Sequence, residues 1–335
     1  MSEETSLHRN HISRDAAAGG SDALSAADIF NLAVLIPCFN EEATIVKVVS
    51  DFRVVLPRST IYVYDNNSTD RTAVLATAAG ALVRRETTQG KGNVVRRMFA
   101  DIEADIYILV DGDDTYDVGS VRRMVEHLVC NGLDLLNGRR SGGRAAYRSG
   151  HQFGNRLLNW VVSLGFGKKF EDMLSGYKIL SRRFVKSFPA LSTGFEIETE
   201  LAVHASELCL PVDEIPIDYR ERPGGSESKL RTYIDGIRIL TTIFVLLKEE
   251  KPLIFFSVIT LMLVLLSLGF GSSVVIEYLE TGLVPRLPTA VLAMGLMILA
   301  MLSLSCGLIL DTVTRGRREL KRLHYLSQPA LRSTV

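Results

Sequence analysis

Only four cysteines occur in the 335 residues, Cys38, Cys130, Cys209 and Cys306, and no two have the spacing of a disulfide or zinc framework. Scattered thiols of this kind fit reduced, buried positions in a cytosolic compartment. An excess of either charge is also absent: 38 Lys and Arg balance 38 Asp and Glu, so nothing in the charge points to nucleic acid. The phosphate-cradling patterns GxGxxG and GxxxxGK[ST] do not occur, which leaves dinucleotide-fold and P-loop readings without their binding turn. Residues 1–30 are rich in Ser, Ala, Asp and Gly, lack an apolar centre, and are expected to form a disordered tail. They lack the basic start and apolar run of a signal peptide, so none is expected.

Long apolar runs are present, both near the C-terminus. Residues 253–276 and 289–310 each reach the roughly 20 residues needed to cross a bilayer core. The connection between them holds one basic residue, Arg286. Lys248 and Lys251 precede the pair, and Arg315, Arg317, Arg318, Lys321 and Arg322 follow it. Basic residues accumulate on the cytoplasmic side, so both chain ends and the large N-terminal part are expected there, in a multi-pass protein of the cell's inner membrane. The expected organisation is therefore a head over 31–228, a juxtamembrane helix over 229–250, two spans, and a basic cytoplasmic tail over 311–335. In 229–250, Leu230, Tyr233, Ile234, Ile237, Leu240, Thr241 and Phe244 recur at helical spacing with basic residues between them. That pattern suits a helix at the membrane surface and equally one packed on the head.

Within the head, short apolar runs alternate with helical patterns. Strands are expected at 32–36, 60–65, 81–85, 106–110 and 133–138. Helices are expected from about Glu42 to Val55, Asp70 to Ala79, Gly92 to Glu103, and after Ser120. This alternation predicts an α/β domain whose mostly parallel sheet carries helices on both faces. Ligands of such sheets bind beyond the carboxyl ends of the strands. The first strand ends in Pro37, Cys38, Phe39, Asn40 and Glu41, the second in Asp65, Asn66, Asn67 and Ser68. The fourth ends in Asp111, Gly112, Asp113 and Asp114, the fifth in Gly138, Arg139 and Arg140. Asp111 and Asp113 can turn their oxygens to one crevice, which suits a hard divalent cation with phosphate oxygens completing its shell. Asp and Gly also make plain solvated turns, and Asn66, Asn67 and Ser68 read best as turn residues. Lys91, between Gly90 and Gly92, can approach a ligand closely if the glycines clear space for it, or can be a solvated lysine at a helix start.

Several motifs together resemble the family 2 glycosyltransferases of the GT-A type, especially the polyprenyl-phosphate sugar synthases typified by dolichol-phosphate mannose synthase. They are IPCFNEE at Ile36, YDNNSTDRT at Tyr64, QGKGNVVRRM at Gln89, VDGDDTYD at Val110, NGRR at Asn137, LSGYKIL at Leu174 and RPGGSESKL at Arg222. The resemblance implies inverting transfer of a sugar from a UDP- or GDP-linked donor to a polyprenyl phosphate. Pro37, Asn40, Glu41 and Asp65 would hold the donor's nucleoside. Asp111 and Asp113 would be the DxD pair carrying Mg²⁺ or Mn²⁺, and Arg139 would contact phosphate. Arg222, Ser228 and Lys229 would belong to a loop closing over donor and acceptor phosphates. Asp113, Arg139 and Lys229 are the residues expected to carry catalysis. The mannose enzymes have glutamine two residues after the second DxD aspartate; here Thr115 stands at that place beside Asp114, which tilts the donor toward UDP.

A departing nucleoside diphosphate needs positive charge, which a cation on Asp111 and Asp113, with Arg139 or Lys91, can supply. A phosphate acceptor is largely dianionic near neutral pH and needs no base. Arg222 and Lys229 would hold it. A hydroxyl acceptor, as in a membrane polysaccharide synthase, would need a carboxylate base. Glu196 and Glu198 are the candidates, or else simply acidic residues at a helix start. Polysaccharide synthases usually carry QxxRW; the single tryptophan, Trp160, follows Asn159, so that motif is absent. A non-catalytic, membrane-tethered binding protein is the remaining alternative. The residues leave homo-oligomerisation open.

Overall fold

The computed structural model describes residues 26–141, 170–222, 241, 244–245 and 247–331. Strands β1 (Leu32–Cys38), β2 (Thr60–Asp65), β3 (Leu82–Arg85), β4 (Ile106–Leu109), β5 (Leu135–Ser141), β6 (Lys178–Ser181) and β7 (Val212–Asp218) form one sheet. Their order is β3-β2-β1-β4-β6-β5-β7. All pairings are parallel except those of β6, which runs antiparallel to both β4 and β5.

The uninterrupted apolar runs of β1 and β4 are explained by burial on both sides. Alternate residues of a strand face opposite ways. Ala33, Leu35, Tyr107 and Leu109 enter one core with Val94, Met98 and Phe99 of helix α4 (Lys91–Asp101). Helices α6 (Arg182–Ser187) and α7 (Ile197–Glu207) complete that core with Phe184, Ile197 and Leu201. Leu32, Val34, Ile36, Ile106 and Ile108 enter the other core. There they meet α2 (Ile45–Val55), α3 (Thr72–Ala78) and α5 (Val121–Cys130), whose Val48, Phe52, Met124 and Leu128 lie at helical spacing. A four-residue helix, α1 (Ala26–Ile29), buries Ala27 against this layer, so the end of the expected tail is ordered; residues 1–25 lie outside the described residues.

Helices α2 and α3 begin later than their patterns predict, for one reason. The backbone N–H groups of Glu41 and Glu42 donate to Thr72 Oγ1 and Asp70 Oδ2 at 2.8 and 3.2 Å. The residues meant to open the two helices instead stitch the loops after β1 and β2 together. Asp70 still accepts the Thr72 N–H at 2.9 Å, so it acts as a cap from outside the helix. The fifth strand also runs on past Gly138. Arg139 and Arg140 lie inside β5, in register with Pro216 and Ile217 of β7, rather than in the loop beyond it.

Two long helices close the chain, α8 (Pro252–Thr281) and α9 (Leu287–Ser327), both long and apolar enough to cross a membrane. Most of their large apolar side chains face outward, among them Leu261, Leu265, Met294 and Leu302. At 1.5 Å per residue, α9 extends roughly 60 Å, about twice a bilayer's hydrocarbon thickness. The stretch expected as a tail is therefore largely helix, and it docks on the head. Tyr325 OH donates to the fully buried Asp134 at 2.6 Å, and Arg183 stacks over its ring at 4.9 Å. Lys321 bridges Glu207 and Glu250 at 2.8 and 3.1 Å. Of the expected juxtamembrane helix, residues 241, 244, 245 and 247–250 are described and helical, and Phe244 meets the Phe255 ring at 5.1 Å. Its remainder lies outside the described residues.

Candidate active site

Strand order reverses at β1, which has β2 on one side and β4 on the other. Open α/β sheets bind ligands at such a point, beyond the carboxyl ends of the two diverging strands. That edge gathers the Pro37–Glu41 loop, Asp65 and the Asp111–Asp113 turn.

The loops there are tied in place. Asn40 stands at φ 52°; its N–H donates to Ser68 Oγ at 2.9 Å and its Oδ1 accepts from Thr69 N at 2.8 Å. Asp65, 6% exposed, accepts from the Ser68 N–H through both oxygens at 3.3 Å. Asn66 donates to Glu86 O and Thr88 O and accepts from Gly90 N at 2.7 Å. It thereby draws the start of α4, and Lys91, to the site.

Lys91 is neither solvated nor left clear for a ligand. Its side chain is buried, with the ammonium 2.6 Å from Asp111 Oδ1 and 2.5 Å from Glu198 Oε1. The space beside its glycines is filled by chain. A Cβ on Gly90 would stand 2.2 Å from Thr193 O, and one on Gly92 2.3 Å from Ser192 O. The glycines admit the 192–193 backbone, correcting the expectation that they clear room for a ligand. Two carboxylates beside Lys91 hold its ammonium protonated far above the usual lysine range, against the opposing effect of burial.

Asp113 is 3% exposed. Thr115 donates to its Oδ1 from the hydroxyl at 2.7 Å and from N–H at 3.2 Å, and Arg222 reaches its Oδ2 at 2.6 Å. The residue in the glutamine's place thus orients the second aspartate. Burial and then the charge of Asp111 push the Asp113 carboxyl up; Arg222 and Thr115 oppose this. Two crowded carboxylates with hard oxygen donors are what a divalent cation relieves. The donor set therefore fits Mg²⁺ or Mn²⁺. Among the described residues no third His, Cys, Asp or Glu converges with them, and phosphate oxygens can complete a cation's shell. Gly176 makes room for the first carboxylate: a Cβ there would stand 2.1 Å from Asp111 Oδ2.

The arginines after Gly138 are engaged within the domain. Arg139 pairs with Glu171. Arg140 grips Asp172 through Nε and Nη2 at 2.7 and 2.6 Å. Arg222, expected at the phosphates, sits on Asp113. Ser228 and Lys229 lie outside the described residues. Cys38, under the edge, has its thiol pushed well up by burial and by Glu41, Asp65, Asp111 and Asp113.

The three acidic residues at the start of α7 have separate tasks. Glu196 accepts the Gly194 N–H at 3.0 Å, and Glu200 accepts those of Leu191 and Ser192 at 2.8 Å each. Glu198 alone meets Lys91. Behind it Lys178, 2% exposed, bonds Asn137 Oδ1 at 2.7 Å and Met173 O at 3.2 Å. Burial lowers the Lys178 ammonium to about 8, despite the opposing charges of Glu198, Asp172 and Glu214. Sequence reasoning did not find this buried network; its one visible trace was three acidic residues inside the apolar run 195–203.

Glycosyl transferase family 2 matches residues 33–178. Glycosyltransferase AglJ of Haloferax volcanii is 31% identical over 300 residues, covering 88% of this chain and 97% of its own. The chain belongs to glycosyltransferase family 2. A dolichyl-phosphate hexose transferase of the same organism is 28% identical over 224 residues, covering 66% of this chain and 96% of its own. The structure of glucosyl-3-phosphoglycerate synthase from Mycobacterium tuberculosis in complex with Mg²⁺ and UDP superposes with a TM-score of 0.55 at 22% identity. It covers 68% of this chain and 84% of the synthase. This family 2 enzyme has the GT-A fold, with two C-terminal helices able to span a membrane. It is a glycosyltransferase, and the non-catalytic alternative is set aside.

Proposed function

We propose that this glycosyltransferase moves a sugar, with inversion, from a nucleoside-diphosphate donor to a polyprenyl phosphate, making a lipid-linked monosaccharide on the cytoplasmic face of the membrane. The observation that carries the reading is the position of Arg222, 2.6 Å from Asp113. It opens the RPGGSESKL segment, through which the chain passes from the aspartate pair toward the membrane helices. In this reading a cation-holding carboxylate and an acceptor-seeking arginine meet just before the stretch of sequence that leads to the two apolar helices. The similarity to a dolichyl-phosphate hexose transferase supports a lipid acceptor. The fold's likeness to a synthase seen with Mg²⁺ and UDP supports a cation and a UDP-linked donor.

In this reading Pro37, Asn40, Glu41 and Asp65 line the nucleoside, and Asp111 and Asp113 hold the cation. The cation, when bound, stabilises negative charge on the departing diphosphate. Lys91 adds fixed positive charge beside it, and Arg139 can reach phosphate if it leaves Glu171. Arg222, with Ser228 and Lys229, holds the acceptor phosphate, which attacks without losing a proton. The basic residues flanking the two helices favour cytoplasmic termini. A hydroxyl acceptor fits less well. Glu198 is committed to Lys91, and Glu196 is buried and accepts the Gly194 N–H through one oxygen.

Membranes containing the enzyme, given labelled UDP- and GDP-sugars, should place label in organic-extractable lipid. EDTA or Asp113→Asn should abolish it. Label in polymer, or lipid labelling indifferent to both, refutes the proposal.

A further inference from the structure

The Lys91 ammonium lies between two carboxylates, and only one of them, Asp111, belongs to the aspartate pair. An ammonium answering Asp111 alone would neutralise it and leave a poor ligand for a cation. Glu198 meets the same ammonium at 2.5 Å. Its placement is rigid. Glu196 and Glu200, on either side of it, fasten the 191–194 turn through backbone N–H groups. That turn packs against Gly90 and Gly92, which bracket Lys91. Turn, helix start and Glu198 therefore form one block with the lysine at its centre.

We propose that Glu198 is a positioning residue: by sharing the Lys91 ammonium it fixes the lysine against Asp111 while leaving the aspartate's charge available to a divalent cation. The inference rests on the reading of Asp111 and Asp113 as the cation's holders. Glu198 touches neither donor nor cation and acts through Lys91. Lys178, buried nearby, is a second positive neighbour of Glu198.

The test uses the full-length enzyme in detergent, with free Mn²⁺ followed by its EPR signal in the presence of UDP. Partners that orient a metal's ligands typically contribute 10–100-fold in affinity. Glu198→Gln should therefore raise the Mn²⁺ midpoint about tenfold or more, and Glu198→Asp should recover part of the loss. In a Lys91→Met background, adding Glu198→Met should shift the midpoint no further. If Glu198→Gln does not fold, Glu198→Asp decides the matter: it keeps the charge but draws it back from the ammonium, so its midpoint should lie above the wild-type value, and an unchanged midpoint overturns the inference. A folded Glu198→Gln protein with the wild-type midpoint overturns the inference, as does a further shift in the Lys91→Met background. Wild-type enzyme that binds no Mn²⁺ overturns the cation reading itself, and this inference with it.

Discussion

Gly176 offers a sharp perturbation of the site, because the nearest atoms its substitution would meet all belong to one side chain. A methyl group there would stand 2.1 Å from Asp111 Oδ2 and 2.7 Å from its Cγ. Ordinary van der Waals contact begins near 3.4 Å, so the carboxylate must retreat by more than 1 Å. Gly176 does not adopt positive φ, so alanine meets no backbone strain. Overpacking of this kind costs about 1–3 kcal/mol, and the loss of unfolded-state freedom returns about 0.4–1 kcal/mol. The fold should survive. The site should not: Asp111 would leave its 2.6 Å contact with Lys91, and a displacement of about 1 Å can cost on the order of 10²-fold in rate, or about 2.7 kcal/mol. We expect Gly176→Ala to melt within several degrees of wild type yet lose about 10²-fold in kcat/KM with the nucleotide sugar found by lipid labelling. Wild-type kcat/KM in a folded Gly176→Ala enzyme would show that the Asp111 position does not matter, and the reasoning would fail.

Further outcomes follow from other buried groups. Cys38 should resist alkylation in the native enzyme while the exposed Cys130 and Cys209 label readily; burial and four nearby carboxylates disfavour its thiolate, and mass spectrometry of partly labelled protein decides. His204 is buried beside Ser187, and burial, with Lys321 nearby, lowers it to about 3. Its folded value lies below the unfolded one, so its share of stability is present above pH 6.5 and is lost as pH falls toward 3; about 1.6 kcal/mol should go between pH 6.5 and 5. His204→Leu should flatten that part of the melting profile, and an unchanged slope would contradict the assignment. Tyr325→Phe removes the hydrogen bond to Asp134, leaving a buried carboxylate short of one donor. Stability should fall by about 1–2 kcal/mol, with the end of α9 cleaved sooner by protease. Equal cleavage in both proteins would mean the docking contributes nothing.

The layered α/β head, the two apolar helices and the strand ends where carboxylates gather were all legible in the order of the residues. Those features rest on local periodicity: doubly buried strands read as unbroken apolar runs, amphipathic helices as one apolar face, and spans as length without charge. Tertiary structure alone decided what each polar residue meets. Lys178–Ser181 became an antiparallel strand between β4 and β5, which four residues and their flanks cannot announce. Lys91 found Glu198, Arg222 found Asp113, and Tyr325 found Asp134, each partner far away along the chain. A buried charge must be paired, but the pairing carries no period, so only the folded chain can specify the partner.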